Sequence, residues 1–311
     1  MRNLRLLIIG QNEFGRAALE AFLARGHTVA GVFCAPDKPG SRPDPLHEAA
    51  QARGVPVHQF ASLRSDEAHQ WMHEARPELV VMAYVLQFAP ASLLRIAKLG
   101  AIQYHPSLLP RHRGPSAISW AIASGASRAG ITVFRPTDGL DEGPIVLQKA
   151  CEIGADESLG ELYFNKLFPM GIEALLEAAD LVGAGRASER EQEQAGASYE
   201  GWLRDDSAQI HWGLHVDVIY NLIRACNPSP GAWTLLGGTR VRLYDCRKLP
   251  TPTFGSMSGA PGSVAAVTPT SIVLNAHGGR IEVLRVRPEG GPKMPAPQFA
   301  AQAGLVSAPA S

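Results

Sequence analysis

Cysteine is scarce and scattered in this 311-residue sequence. Cys34, Cys151, Cys226 and Cys246 form no CxxC pair and no metal-ligand spacing. A disulfide framework and a cysteine-held metal are therefore excluded as organising devices, and the four residues are expected to be free thiols in small core positions. Long apolar runs are also missing. The run before Gly10 in MRNLRLLIIGQNEFG holds only about five apolar residues, too short for a signal-peptide core and far too short to span a bilayer. The expectation is a cytoplasmic protein with no membrane partner. Charge of one sign is lacking too: 29 Lys and Arg balance 29 Asp and Glu. Nothing global then argues for nucleic acid or a membrane surface, although local basic patches stay open. No internal repeat or low-complexity segment stands out.

What is present is an ordinary soluble composition, 45% apolar and 19% charged, in a chain long enough for two domains. Leu4 to Ile9 reads as a strand buried on both faces, Phe14 to Leu23 as a helix closed by Gly26, and Thr28 to Phe33 as a second strand. That order predicts a crossover and a parallel sheet. The turn Gly10-Gln11-Asn12-Glu13-Phe14-Gly15 has neither GxGxxG spacing nor the Gly-Lys-Ser/Thr of a phosphate loop, so a tight strand-to-helix turn is expected, with no nicotinamide nucleotide. For the Pro-rich stretch from Ala35 to Pro45, a functional loop and a solvated connection stand side by side.

Further helices are expected over Leu46–Arg53, Ser65–Arg76, Pro90 to about Lys98, and Ser158–Val182. Strands are expected over Val55–His58, Leu79–Ala83, Ala101–Tyr104 and Ile145–Cys151. Residues 183–201 turn charged and small, as a linker or a surface strap would be. After a helix over Val216–Ala225, short strand-like runs with Gly turns predict a small barrel or sandwich. The expected division is a domain over 1–182, a linker over 183–205 and a C-terminal domain over 206–311.

The stretch from Ile102 to Gly143 carries the chemistry. His105 and Asp141 end two strand-like runs, where side chains from separate loops can converge. A carboxylate beside an imidazole orients the ring, the imidazolium can serve a developing oxyanion, and the Asp can accept a proton from a nucleophile. No Ser sits in a nucleophile elbow and no His or Cys cluster suits a metal, so addition–elimination at a carbonyl with an external nucleophile fits. From pattern alone, Asp138 and Asp141 read equally well as turn residues, and His112 as an exposed loop side chain.

HPSLLPRHRGPSAISWAI followed by DGLDEGPIVLQK resembles the enzymes of one-carbon metabolism that use 10-formyltetrahydrofolate as formyl donor. Among them are methionyl-tRNA, glycinamide ribonucleotide and sugar N-formyltransferases. IIGQNEFG, GVFCAPDKPGSRPDPL, LQFAP, FPMGIEALLEA, GASYEG and PGAWT look most like the N-terminal hydrolase domain of 10-formyltetrahydrofolate dehydrogenase. The tail from PGSVAAV to RIEVLRVRPEGGPKM looks like its C-terminal barrel. The resemblance implies a Rossmann-like parallel-sheet α/β formyltransferase domain followed by an OB-like β-barrel domain. No aldehyde dehydrogenase portion follows the match, which sets the expectation of a hydrolase-like unit standing alone.

Carried over, the resemblance implies His105 and Asp141 as catalytic. It implies Leu86, Gln87, Phe88 and Ala89, together with Thr137, Asp138, Gly139 and Leu140, as pterin-holding segments. Ser107, Leu108, Leu109 and Pro110 would line the folate site. Gln103 stands where most transferases of the family carry an oxyanion-supporting Asn, a departure that the hydrolase domain shares. The expected substrate is 10-formyltetrahydrofolate, without metal or NAD, and the leading expectation is hydrolysis to tetrahydrofolate and formate. The rival is transfer to an amine acceptor, initiator tRNA included, for which Arg240, Arg242, Arg247, Lys248, Arg280, Arg285, Arg287 and Lys293 give the barrel a modest positive excess. A non-catalytic folate-binding protein is the third reading.

Overall fold

The computed structural model describes residues 2–250 and 259–306. Residue 1 and residues 307–311, at the ends of the expected domain ranges, lie outside them. In chain order the elements are β1 (Arg5–Gly10), α1 (Asn12–Ala24), β2 (Thr28–Cys34), α2 (Pro45–Ala52), β3 (Val57–Gln59), α3 (Asp66–Ala75), β4 (Leu79–Ala83) and α4 (Ala91–Leu94). There follow β5 (Ala101–His105), α5 (Ala117–Ala123), β6 (Arg128–Phe134), β7 (Ile145–Glu152), α6 (Leu159–Leu162), a π-helical turn (Tyr163–Leu167) and α7 (Phe168–Gly183). The last are α8 (Val216–Ala225), β8 (Trp233–Leu236), β9 (Thr239–Pro250), β10 (Val264–Val267), β11 (Ile272–Ala276), β12 (Gly279–Pro288), β13 (Met294–Pro295) and α9 (Ala296–Gln302).

Two compact units are formed, and neither is a single stretch of chain. One contains Met1–Gly114, Gly130–Cys151 and Phe164–Tyr199; the other contains Pro115–Ala129, Glu152–Tyr163 and Glu200–Ser311.

The first unit is built on a seven-stranded sheet in the order β3-β2-β1-β4-β5-β6-β7. The strands β1 to β5 pair in parallel, as expected for apolar runs buried on both faces. Strand β6 departs from the parallel expectation: it runs antiparallel to β5, with His105 opposite Thr132 and Gln103 opposite Phe134. Alternation along β1 and β4 sends Leu7, Ile9, Val80 and Met82 to a core shared with Met72 of α3 and Leu93 of α4. Each such fully buried side chain contributes roughly 1.5–3 kcal/mol. On β5, Tyr104 stacks on Phe14 of α1 with ring centroids 4.2 Å apart. Gly171 lets α7 close onto this pair, because a Cβ there would lie 2.5 Å from the Tyr104 ring.

Local chemistry explains the element ends. Gly26 ends α1 at φ +88°, with the His27 N–H reaching back to the Phe22 carbonyl. Ser65 caps α3 through the Ala68 N–H. The expected helix from Pro90 to Lys98 is only the short α4, because the chain must re-enter the sheet at once: Leu99 N–H donates to Glu78 O and Gly100 adopts φ +69°. The expected helix over Ser158–Val182 is divided by the π-helical turn. Pro169 has no N–H for the Asn165 carbonyl four residues back, so the ladder cannot run through regularly.

The second unit carries an antiparallel sheet in the order β10-β11-β12-β9-β8, with β13 paired to β12. Inward-facing Val241, Leu243, Ile281 and Val283 meet Ile219, Tyr220 and Ile223 of α8, and α9 adds Phe299. This half-barrel answers to the OB-like expectation. Helix α9 and strand β13 had no counterpart in the sequence reading. Cys34 and Cys226 are buried, and burial pushes both thiols up to about 12, so they stay protonated.

His27 links this packing to pH. It is buried beneath α1, and its Nδ1 accepts from the Leu4 N–H at 3.2 Å, which requires the neutral ring. Burial lowers its pKa from the ordinary 6.5, against an opposing pull from Asp180. The unfolded chain binds the proton first, so this contribution to stability is whole above 6.5 and drains as pH falls from there to the lowered folded value. We predict that the urea midpoint falls between pH 7.5 and pH 5, and less so in His27→Gln. Identical pH profiles for the two proteins would contradict this role.

Candidate active site

Strand β5 ends on His105, beside the junction of β1 and β4 where the strand order reverses, the position at which open α/β sheets bind ligands. His105 is 5% exposed and Asp141 7%, and the two meet with His105 Nδ1 3.6 Å from Asp141 Oδ2. The other ring nitrogen, Nε2, donates to the His112 carbonyl at 2.8 Å. A carbonyl cannot return a proton, so Nε2 keeps its hydrogen and Nδ1 is left to give or take one. That is the atom facing Asp141.

Both loops are held by hydrogen bonds from outside themselves. The Asp141 carboxylate accepts the Gly114 N–H at 2.9 Å, although Asp141 itself sits at φ +53°, a conformation costing a non-Gly residue roughly 1–2 kcal/mol. From below, Thr132 Oγ1 donates to Ser107 O and accepts the Leu109 N–H, while Gln148 Nε2 donates to Leu109 O. The turn after β6 closes with Arg135 N–H on Pro144 O, and the Arg135 guanidinium holds the carbonyls of Leu99 and Ala101.

The segments expected to hold the pterin are brought together. Asp138 Oδ1 accepts the Ala91 N–H at 2.9 Å, tying the Thr137–Leu140 turn to the chain that follows Leu86–Ala89. Leu86, Phe88 and Leu140 keep 54%, 44% and 54% of their surface exposed. Arg64 lies over the Phe88 ring at 4.5 Å. The Gln87 amide is committed elsewhere, donating to the carbonyls of Phe60 and Ala61, and Ala89 is buried. Thr137 Oγ1 accepts the Gly139 N–H. Ser107 and Leu109 are buried, and Ser107 Oγ is spent on the Arg111 carbonyl, so no serine nucleophile is available there. Pro110 O accepts from the Ser198 N–H, and Leu108 packs over Gly130.

Gln103 lies two residues before His105, so both side chains leave the same face of β5. Among the described residues its amide has no hydrogen-bond partner. Gly10 is explained by packing: a Cβ there would lie 2.2 Å from the Ala83 carbonyl, which fits the tight-turn reading. The Pro-rich loop is folded onto that turn, the Asp44 carboxylate accepting the N–H groups of Asn12 and Leu46. Burial pushes the Asp37 carboxyl up, but the Asp44 N–H, His47 and Gln59 together hold it below the usual range.

The formyl transferase family model matches residues 2–178, and the model of the formyl transferase C-terminal domain matches residues 203–304. The chain belongs to the formyl transferase family. It is 37% identical over 308 residues to mitochondrial 10-formyltetrahydrofolate dehydrogenase of Mus musculus, covering 95% of this chain and 33% of that one. It thus spans about a third of the length of the dehydrogenases it matches. Methionyl-tRNA formyltransferase of Moorella thermoacetica is 34% identical, with 95% of each chain covered. In fold, the chain is similar to an N-formyltransferase from Helicobacter canadensis solved with folinic acid and dTDP-3-aminofucose, at TM-score 0.70 and 17% identity over 90% of this chain and 99% of that one. HypX from Aquifex aeolicus, in complex with tetrahydrofolic acid, matches at TM-score 0.68 and 18% identity over 99% of this chain and 49% of that one.

The sequence reading missed the group that holds His105 and left the later strap open between two readings. The His112 carbonyl, not its side chain, is the group that engages His105. Residues Arg190 to Tyr199, read as a polar linker or strap, run along the first unit and bridge to Ile145 and Arg113. Gly143 is sterically fixed as well, since a Cβ would fall 1.5 Å from the Arg135 carbonyl. Gly143→Ala is accordingly predicted to displace the Asp141 turn, lowering the thermal midpoint by several degrees and activity by about 10²-fold. Wild-type values for both in the purified variant would contradict the tight closure of this turn.

Proposed function

We propose that this chain hydrolyses 10-formyltetrahydrofolate to tetrahydrofolate and formate. The observation that carries the reading is the buried His105–Asp141 pair, in a family of formyl transferases, beside exposed Leu86, Phe88 and Leu140. Water adds to the formyl carbon on N10 while Asp141 takes its proton. The Nδ1–H of His105 and the Gln103 amide support the oxyanion. The tetrahedral adduct then collapses with cleavage of the C–N10 bond, His105 giving its Nδ1 proton to N10 and regaining one from Asp141. Leu86, Phe88 and Leu140 hold the pterin, with backbone groups of 86–89 and 137–140 reading its polar edge.

Transfer to an amine is the second reading, favoured by the 34% identity to a methionyl-tRNA formyltransferase over 95% of both chains. The charge of the second unit speaks for water instead. Arg240 and Arg242 pair with Asp205, Arg247 with Glu282, Lys248 with Asp217 and Lys293 with Asp245. The cations read as a basic excess are therefore largely matched by carboxylates of the same unit.

Purified protein given 10-formyltetrahydrofolate alone is expected to release tetrahydrofolate with multiple turnovers. Release that begins only when charged initiator tRNA or an amino sugar is supplied would replace hydrolysis by transfer. His105→Ala and Asp141→Ala are each expected to lower kcat by at least about 10²-fold while leaving the folate Kd within a few-fold. Near-normal turnover in either variant would remove it from the mechanism.

A further inference from the structure

One buried, fully engaged side chain at the site belongs to none of the segments discussed for catalysis or folate. Gln192 lies in EREQEQAGASYE, where its neighbours Glu191 and Glu193 are exposed or turned outward, yet it is only 6% exposed. Its Nε2 spends both hydrogens on the active-site turn, donating to Asp141 O at 2.8 Å and Gly143 O at 2.8 Å. Its Oε1 accepts from Arg113 Nε at 3.2 Å and from the second guanidinium nitrogen at 2.8 Å. One amide thus joins the loop that engages His105 to the turn that carries Asp141. The same strap supplies Ser198, whose Oγ accepts the His112 N–H at 2.8 Å and whose carbonyl accepts the Arg113 N–H.

Chemistry explains why an amide is needed. Two carbonyls require donors and a guanidinium requires acceptors, and a primary amide offers two hydrogens and an acceptor oxygen in one plane. A carboxylate would satisfy Arg113 but repel both carbonyls. An apolar side chain would leave Asp141 O, Gly143 O and part of Arg113 without partners, each such buried loss costing about 1–3 kcal/mol. The turn being held is one that resists its own conformation, since Asp141 sits at φ +53°. The Nδ1–Oδ2 separation of 3.6 Å lies just beyond hydrogen-bond range, so a small displacement of the turn decides whether the two groups act together.

We infer that Gln192 is a positioning residue, which sets the Asp141 carboxylate against His105 through the main chain of the Asp141–Gly143 turn. The inference rests on the reading that this pair performs the reaction, and it adds a residue outside the loops that touch substrate. Gln192→Leu removes donors and acceptor together. Gln192→Glu keeps the acceptor for Arg113 and removes only the donors, so it isolates the part of the amide that holds the turn.

Two measurements test it. Steady-state kinetics with 10-formyltetrahydrofolate should show kcat down by about 10²-fold in both variants with KM within about threefold, the pattern of a displaced reacting group. Residue-resolved amide exchange should show the Gly114 N–H, donated to Asp141 Oδ2, exchanging at least about tenfold faster in both variants while β4 and β5 keep their protection. A kcat within about threefold of wild type in Gln192→Glu would overturn the donor role, and unchanged Gly114 exchange in both variants would overturn the positioning role. If the wild type shows no turnover with any acceptor, the functional reading fails, whereas the exchange measurement still decides the role of Gln192.

Discussion

The site depends on a turn that no secondary structure supports. Asp141 and Gly143 lie between β6 and β7, outside any ladder, and their carbonyls are buried where water cannot serve them. The conformation also opposes its own sequence, for Asp141 takes a left-handed backbone angle and Gly143 is pressed against the Arg135 carbonyl. Such a turn persists only when its surroundings over-determine it. The surroundings here are Arg135 below, Gly114 at the carboxylate and Gln192 at the two carbonyls. The chain returns some fifty residues later, at Gln192, to complete a turn that was laid down long before.

The sheet does the coarser positioning. Parallel strands bring their C-terminal ends to one edge, so β1, β4 and β5 deliver the Gly10 turn, the Tyr84–Ala89 segment and His105 to a common place. The antiparallel entry of β6 then sets Thr132 directly opposite His105. That register lets one buried hydroxyl bond both Ser107 and Leu109 and so fixes the loop leaving β5. Rigid strands settle positions to within the reach of a side chain, and the hydrogen-bonded loops settle the last ångström. Catalysis by oriented groups is sensitive on that last scale.

Much of this was legible in the sequence, and the exceptions share a cause. Continuous apolar runs announced β1, β2, β4 and β5, since burial on both faces leaves no polar alternation to confuse with a loop. His105 was legible as the end of an apolar run, whereas Asp141 lies in the turn between β6 and β7, the reading that pattern alone had left open, and the HPSLLP and DGLDEG motifs named the family. The direction of β6 was not legible, because pairing sense depends on the length and route of the connection and not on the strand's own residues. The π-helical turn could have been found, as Pro169 stands inside an otherwise helical pattern. Gln192 could not: in a run of Glu, Gln, Ala and Gly, nothing local separates the one buried amide from its solvated neighbours. The carbonyl of His112 was likewise out of reach, since sequence patterns describe side chains while the ring is held by main chain.

The second unit bears on the choice of acceptor through the size of its ion pairs. Exposed pairs contribute about 0–1 kcal/mol each, so no single one bars a polyanion from its partner cation. The cluster around Asp205 is different in kind. Hydrogen bonding from Arg240, and then from Arg242, holds its carboxyl below the usual range, and Arg240 also stacks over Trp233 at 3.9 Å. A phosphate approaching these arginines must displace a carboxylate already served by both and unstack a ring as well. Water requires no such exchange. On the reading proposed above, it is this engagement of Arg240 and Arg242 by Asp205 that favours water, an acceptor that needs no docking surface.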